Sequence, residues 1–433
     1  MNKTNLLKHI LLSCTPIIIL VILGYTAAYG QTEASISIDT CLRLAKEYYP
    51  LAKQKGYLKE ISDNSSKGIN TKWYPQVNLA SSATYQSEVT SFDFPGFLAM
   101  YLPKDNYSVG LQVNQTVYDF GESSQLKKTE KAGTDTEIQK NEIELYKLND
   151  RILQIYGNIL LTKENIKILE SYIDDIKNRQ ANMASSVNNG VLLQSNLDVL
   201  DAEMLKTSQK LVETNYNLTI LYQTLSLLIN RQINENTEFL GIPTATASAV
   251  PVTILRPELQ FFESQQRYID EKIVLVNRKS MPHLSVFIDG AYGRPGYNFL
   301  DTKMRLYAIA GANLTWNISS IQTNSFEKKN LFINKNIVDE QKDLFQLNLK
   351  TTLAQQNGEI DKIEKMIELD KSIVDKRILI SETAANQLEN GIITSTDYLT
   401  LLSAEKQAVL NQHVHEIQLG IAIKNYNITT GTK

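Results

Sequence analysis

The chain has 433 residues, room for two or three domains and a large core. With 42% hydrophobic and 21% charged residues it is not a disordered chain, and a formal net charge of −3 lacks the basic excess of a nucleic-acid binder. Four His and two Cys leave neither a disulfide scaffold nor a Cys/His zinc site, while 19 Gly and 10 Pro permit long uninterrupted helices.

Residues 1–30 carry Lys3 and Lys8, an apolar run over 10–23, and small residues Ala28 and Gly30 around Tyr29. This is the order of a secretory signal peptide cleaved before Gln31. A rival reading is an uncleaved anchor over 10–28, nearly long enough to span. A lipid-anchored Cys14 is a weaker rival, because Cys14 precedes most of the apolar run. Cys41, the other cysteine, cannot pair within the processed chain and is expected to be an inert buried thiol. No later segment holds 18 apolar residues in a row, so no further transmembrane helix is expected.

An amphipathic helix is predicted over 40–70, and alternating segments follow. Val77, Leu79, Ser81, Ala83 and Tyr85 share one face, with Asn78, Ala80, Ser82, Thr84 and Gln86 opposite. Tyr107, Val109, Leu111 and Val113 then alternate with Ser108, Gly110, Gln112 and Asn114. The period of two predicts a hairpin over about 76–119. Each run is about 10 residues, the length of a tilted membrane-spanning strand. The faces are weakly apolar, and aromatics gather at the ends (Trp73, Tyr74, Phe92, Phe94, Phe97, Tyr101, Tyr118, Phe120), as in the girdles of a membrane barrel. Two hairpins packed on helices would alternate too, and that reading stays open.

From 122 to 186 there is no Pro. Ile138, Leu145, Ile152, Ile159, Ile166 and Ile173 recur every seven residues, with Leu148, Ile155, Leu169 and Ile176 three later and Asn141 and Thr162 in that second register. This is a coiled-coil helix of roughly 100 Å. Asn189-Gly190-Val191 breaks it, and a second long helix returns.

The same order then recurs. Arg256-Pro257 answers Tyr49-Pro50, and Ser280-Met281-Pro282-His283-Leu284 answers Trp73-Tyr74-Pro75-Gln76-Val77. A helix over 257–279 precedes a second hairpin over about 283–318, where Leu284, Val286 and Ile288 alternate with Ser285 and Asp289, and Leu306, Ala308, Ala310, Ala312 and Leu314 with Tyr307, Ile309, Gly311 and Asn313. A helix over 320–389 carries Leu353, Ile360, Ile367 and Val374. Asn390-Gly391-Ile392 is its turn. We therefore expect a signal peptide over 1–30, a first repeat over 31–235, a linker over 236–255 whose residues 245–249 are rich in Ala, Thr and Ser, and a second repeat over 256–433. Four strands cannot close a membrane barrel, and open edges are not tolerated in lipid. Several copies must share one barrel: two give eight strands, which side chains would fill, and three give twelve, which leave a usable lumen; closed symmetry allows either.

With these residues in hand, the chain resembles the TolC-like outer membrane efflux proteins over nearly all of 31–433. The resemblance rests on the duplication, the Trp73-Tyr74-Pro75 entry, and the Gln115-Thr116-Val117-Tyr118-Asp119-Phe120-Gly121 exit. It rests also on the two glycine turns, followed by Leu197-Asp198-Val199-Leu200 and Thr396-Asp397-Tyr398-Leu399. It implies a mixed α and β membrane protein. A long α-helical coiled-coil tunnel would cross the periplasm, and four strands per chain would join a 12-stranded trimeric outer-membrane barrel. It implies a homotrimer, outer-membrane lipid around it, and a periplasmic adapter that links an inner-membrane pump of RND or ABC type. Efflux or type I secretion would be driven by that partner. Asn189, Gly190, Val191, Leu192, Asn390, Gly391 and Ile392 would meet the adapter, and Asp397 would constrict the tunnel entrance. Thr400 takes the place of a second acidic residue, and a lone Asp near a turn can equally be a helix cap. Asn317-Ile318-Ser319 departs from Asp-x-Gly, so the second strand exit is expected to differ.

No P-loop, G-x-G-x-x-G or G-x-S-x-G motif is present, and no acid/base or nucleophile pair converges, so neither catalysis nor a cofactor is expected. His413 and His415 do not share a helix face and read as solvated. The alternative function is a periplasmic coiled-coil scaffold or adhesion protein without channel activity.

Overall fold

The computed structural model describes residues 35–92, 100–190, 192–244 and 254–432. The predicted signal peptide, Val191, and linker residues 245–249 lie outside the described residues. So do Phe94 and Phe97.

The elements are β1 (Ser35–Ile36), α1 (Ile38–Tyr48), α2 (Gln54–Asn70), β2 (Gln76–Tyr85), β3 (Ser91–Phe92), β4 (Met100–Tyr101), β5 (Asp105–Tyr118), α3 (Glu122–Asn188) and α4 (Gln194–Ile229). They continue with β6 (Glu238–Phe239), α5 (Pro257–Lys279), β7 (His283–Arg294), β8 (Arg305–Thr315), α6 (Ser320–Glu389) and α7 (Ser395–Thr430).

The predicted 40–70 helix is in fact two. Tyr49 is extended (φ −63°, ψ 134°) and Pro50–Lys53 form a 3-10 turn between α1 and α2. A proline has no N–H for the ladder and disfavours helical backbone in the residue before it. Asn141 lies in the apolar register of α3 because its Nδ2 donates to Leu51 O, 3.1 Å away in that turn.

Two compact units form, and each draws on three stretches of chain. One takes the described residues of Met1–Leu44, Gln154–Thr244 and Ile367–Gly420. The other takes Ala45–Leu153, Ala245–Met366 and Ile421–Lys433.

The second unit holds the sheet, ordered β2-β5-β7-β8 with every neighbour antiparallel. The register sets like faces together. Leu79, Leu111, Gly290 and Ala308 form one cross-strand row, and Val77, Val113, Ile288 and Ala310 the next. On the other face Asn78, Gln112, Asp289 and Ile309 are aligned. All of β2 is exposed, and β8 nearly so, on both faces. A bulge between Thr116 and Tyr118 leaves Val117 out of the ladder and sets Tyr118 opposite Leu284.

The two strand exits differ, as expected from their residues. After β5, Phe120 and Gly121 take positive φ (50° and 85°), and Asp119 accepts from Gly121 N–H (3.0 Å) and Ser123 N–H (2.7 Å). Burial alone would raise the Asp119 carboxyl; the hydrogen bonds from Ser123 and Gly121 outweigh it and hold the carboxyl below its usual range. After β8, Asn317 Oδ1 accepts from Ser320 N–H at 3.3 Å, and no residue there is left-handed among the described residues.

The first unit is built on the heptad stripe of α3. Ile152 and Ile159 are fully buried; Ile155 and Ile166 are half-buried. Tyr156, fully buried, points its hydroxyl at Ile36 O (2.9 Å) and Leu240 O (2.6 Å), so it ties the parallel β1–β6 pair to the helix. Phe239 stacks on Tyr222 at 5.7 Å between ring centres. Cys41 is buried, and burial pushes its thiol up to about 12, which keeps it protonated and inert.

Candidate functional site

α3 and α6 stop where glycine permits left-handed backbone. Gly391 has φ +69°; its N–H donates to Leu388 O at 3.0 Å, and Ile392 N–H donates to Gln387 O at 2.8 Å. Those two bonds close a Schellman ending and satisfy the last free carbonyls of α6. Gly190 has φ +76°, with its N–H on Val187 O (2.9 Å) and Leu192 N–H on Ser186 O (3.3 Å).

The structure brings the two turns together. A Cβ at Gly391 would stand 3.6 Å from Leu192 Cδ2. Asn196 Oδ1 accepts from Ser395 N–H at 3.2 Å, so the first hairpin caps a helix of the second. Beneath them a core joins all four long helices, with Tyr172, Ile176 and Met183 of α3, Leu200 of α4, Ala384 and Leu388 of α6, and Tyr398 and Leu402 of α7. Arg179 of α3 pairs with Glu389 of α6 and lies over the Tyr398 ring at 5.3 Å. Asn189, Gly190, Asn390, Gly391 and Ile392 face outward, with Ile392 69% exposed. Leu192 does not: its side chain packs on the core. Sequence reasoning missed Leu193, which is 73% exposed beside the turn. The consecutive apolar residues after Gly190 were its only sequence sign.

Asp397 is exposed and closes a capping box. Its N–H donates to Thr394 Oγ1 (3.2 Å), and its Oδ2 accepts from Thr394 Oγ1 (2.7 Å) and Thr394 N–H (3.1 Å). The Thr394-x-x-Asp397 spacing is legible in the sequence as a helix start. The hydrogen bonds from the Thr394 hydroxyl and then its N–H hold the Asp397 carboxyl below its usual range. A lowered carboxyl contributes stability above its unfolded pKa and loses it as pH falls through the folded value. Amide-exchange protection of residues 395–398 is therefore expected to be level from pH 8 to 5 and to fall below about pH 4. Asp397→Ala should lower that protection at neutral pH and remove the acid step. An acid step that persists in the variant would show that the cap is not its cause.

Each histidine among the described residues pairs with a single carboxylate. His283 Nε2 lies 2.6 Å from Glu122 Oε2, and His415 Nδ1 lies 2.6 Å from Asp370 Oδ2. The solvated reading therefore fails for His415, which turns onto α6, and holds for His413, 42% exposed. Among the described residues no group of three or more His, Cys, Asp or Glu could hold a metal.

No protein-family model matches the chain, and no curated protein does. Solved structures do. The outer-membrane channel OprN aligns over 92% of this chain and 90% of its own, with a TM-score of 0.67 and 12% identity. The outer membrane protein VceC of Vibrio cholerae aligns over 92% and 97%, with a TM-score of 0.64 and 12% identity. The Campylobacter jejuni CmeC outer membrane channel aligns over 91% and 85%, with a TM-score of 0.61 and 14% identity. This chain has the fold of these outer-membrane channels.

Proposed function

We propose, with that fold as the premise, that three copies of the chain form a passive outer-membrane channel for efflux or type I secretion. Three sheets would close one twelve-stranded barrel, and the helical hairpins would continue as a periplasmic tunnel. The observation that carries this reading is the sheet. Its edge strands β2 and β8 are exposed on both faces and, among the described residues, lack outer partners, and one face carries Val77, Leu79, Leu111, Val113, Ile288 and Ala310 across all four strands. Such a sheet in water is an aggregation template, and in lipid its edges would be intolerable. Pairing β2 of one copy with β8 of the next removes both edges at once.

The helices support the same closure. Among the described residues α3 and α7 expose no large hydrophobic side chain. On α4, Leu205, Val212, Tyr216, Ile220 and Leu227 are exposed; on α6, Phe326, Ile333, Ile337, Leu344 and Leu347 are. These are unpartnered coiled-coil stripes, and neighbouring copies would cover them.

In this reading no chemical step occurs on the chain. Asn189, Gly190, Val191, Asn390, Gly391 and Ile392 mark the region that meets a periplasmic adapter, with Leu192 buttressing it from the core, and an inner-membrane pump beyond it supplies the energy. Asp397 from three copies would ring the entrance while also capping α7. The test is membrane fractionation followed by the mass of the detergent-extracted, unboiled particle. An outer-membrane particle near three times the chain mass is expected. A water-soluble particle would overturn the channel and favour the coiled-coil scaffold.

A further inference from the structure

The four long strands contain few Asp, Glu, His, Lys or Arg residues, and all but one stand at the strand ends. Asp105 and Arg294, at the ends of β5 and β7, pair with each other. Arg305, at the start of β8, pairs with Asp301 at 2.9 Å. His283, at the start of β7, meets Glu122. Asp289 alone lies mid-strand, and among the described residues no ion pair reaches it. Its cross-strand neighbours are Gln112 and Ile309, and Asn78 completes the row. Arg305 stands opposite Gly293, four residues along β7, about 13 Å away.

An ionised carboxylate at the depth of the hydrocarbon core is costly unless it is paired or faces water. Asp289 is on the face opposite Leu79, Leu111 and Ala308, which the proposed barrel would turn to lipid. Closure of the barrel supplies no partner either. The strand that a neighbouring copy would bring alongside β8 is β2, Gln76–Tyr85, which contains no Lys, Arg, His, Asp or Glu.

We infer that Asp289 is a selectivity residue: three copies form a carboxylate ring inside the barrel that favours cationic solutes over anionic ones. The inference rests on the trimeric channel reading. Twelve strands about 4.8 Å apart and tilted about 40° close a backbone cylinder of roughly 12 Å radius. An inward carboxylate is then roughly 8 Å from the axis, about one Debye length at 0.15 M salt. Three such charges acting through water give a cation-over-anion preference of roughly five- to tenfold, which grows as salt is lowered. This discrimination is by charge alone, so it suits a conduit for many cargoes.

The experiment is the reversal potential of the purified full-length protein in planar bilayers under a KCl gradient, at about 0.15 M and at lower salt. Wild type and Asp289→Glu are expected to show the same cation preference. Asp289→Asn should bring the ratio down severalfold, and Asp289→Lys should invert it. Asp397→Asn is measured alongside, to separate the share of the preference that a second carboxylate ring at the tunnel entrance would add. A wild-type ratio in Asp289→Asn overturns the inference while the channel stands. A loss of preference confined to Asp397→Asn overturns it too and moves the filter to the helix turns. No conductance from the wild-type protein overturns the channel reading and the ring together.

Discussion

Leu111→Arg is expected to remove the assembled particle from the outer membrane, whereas Gln112→Arg, one residue along the same strand, should leave it assembled. The two positions lie at one depth and differ only in face. Leu111 lies between Leu79 and Gly290 on the apolar face; Gln112 lies between Asn78 and Asp289 on the polar one. Arg at the midplane of a lipid-facing strand costs about 2–4 kcal/mol, and a shared barrel meets that cost in each of three copies, about 6–12 kcal/mol in all. A total of that size rivals the whole stability of a folded domain, about 5–15 kcal/mol. The check is the amount of heat-modifiable particle in outer-membrane fractions. Equal loss in both variants would mean that the sheet does not divide into a lipid face and a water face. Gln112→Arg would in addition place a cation beside Asp289, and so should weaken the cation preference without loss of assembly.

Tyr156→Ala should be the most damaging single truncation in the helical core of its unit. Tyr156 is fully buried, packs on Phe239 at 5.3 Å between ring centres, and turns its hydroxyl toward two carbonyls. Removal of a buried aromatic ring costs about 3–5 kcal/mol. Ile36 O would keep its bond from Leu240 N–H at 3.0 Å, while Leu240 O would lose the donor in Tyr156. Tyr156→Phe keeps the ring and should cost about 1–2 kcal/mol. The readout is the thermal unfolding midpoint in detergent, with limited proteolysis around residues 35–44 and 238–244 to locate the loosened region. A midpoint for Tyr156→Ala equal to wild type would show that the β1–β6 pair is held by other contacts.

Much of the fold was legible because its signals are local. Alternation at period two in 76–86 and 284–288, and the seven-residue spacing of Ile138, Leu145, Ile152 and Ile159, follow from the geometry of a strand and of a supercoiled helix. Gly190 and Gly391 end helices for a reason visible at one residue: a glycine takes left-handed backbone without strain. Pro50 is a local signal too: it divides the 40–70 segment, whose apolar period alone spans both helices.

The long elements, their faces and the two glycine turns can thus be read from the sequence, because helix period, strand period and backbone freedom act over a few residues. Only the tertiary structure decided which distant residues meet. It set Asn141 under the Leu51 carbonyl, Asn196 on the Ser395 N–H, and His415 on Asp370. It paired the strand-end charges and left Asp289 alone between Gln112 and Ile309. Those meetings depend on register and on packing across tens or hundreds of residues of chain. A one-residue slip of β7 against β5 would have sent Asp289 to the other face, and no periodicity within either strand specifies that alignment.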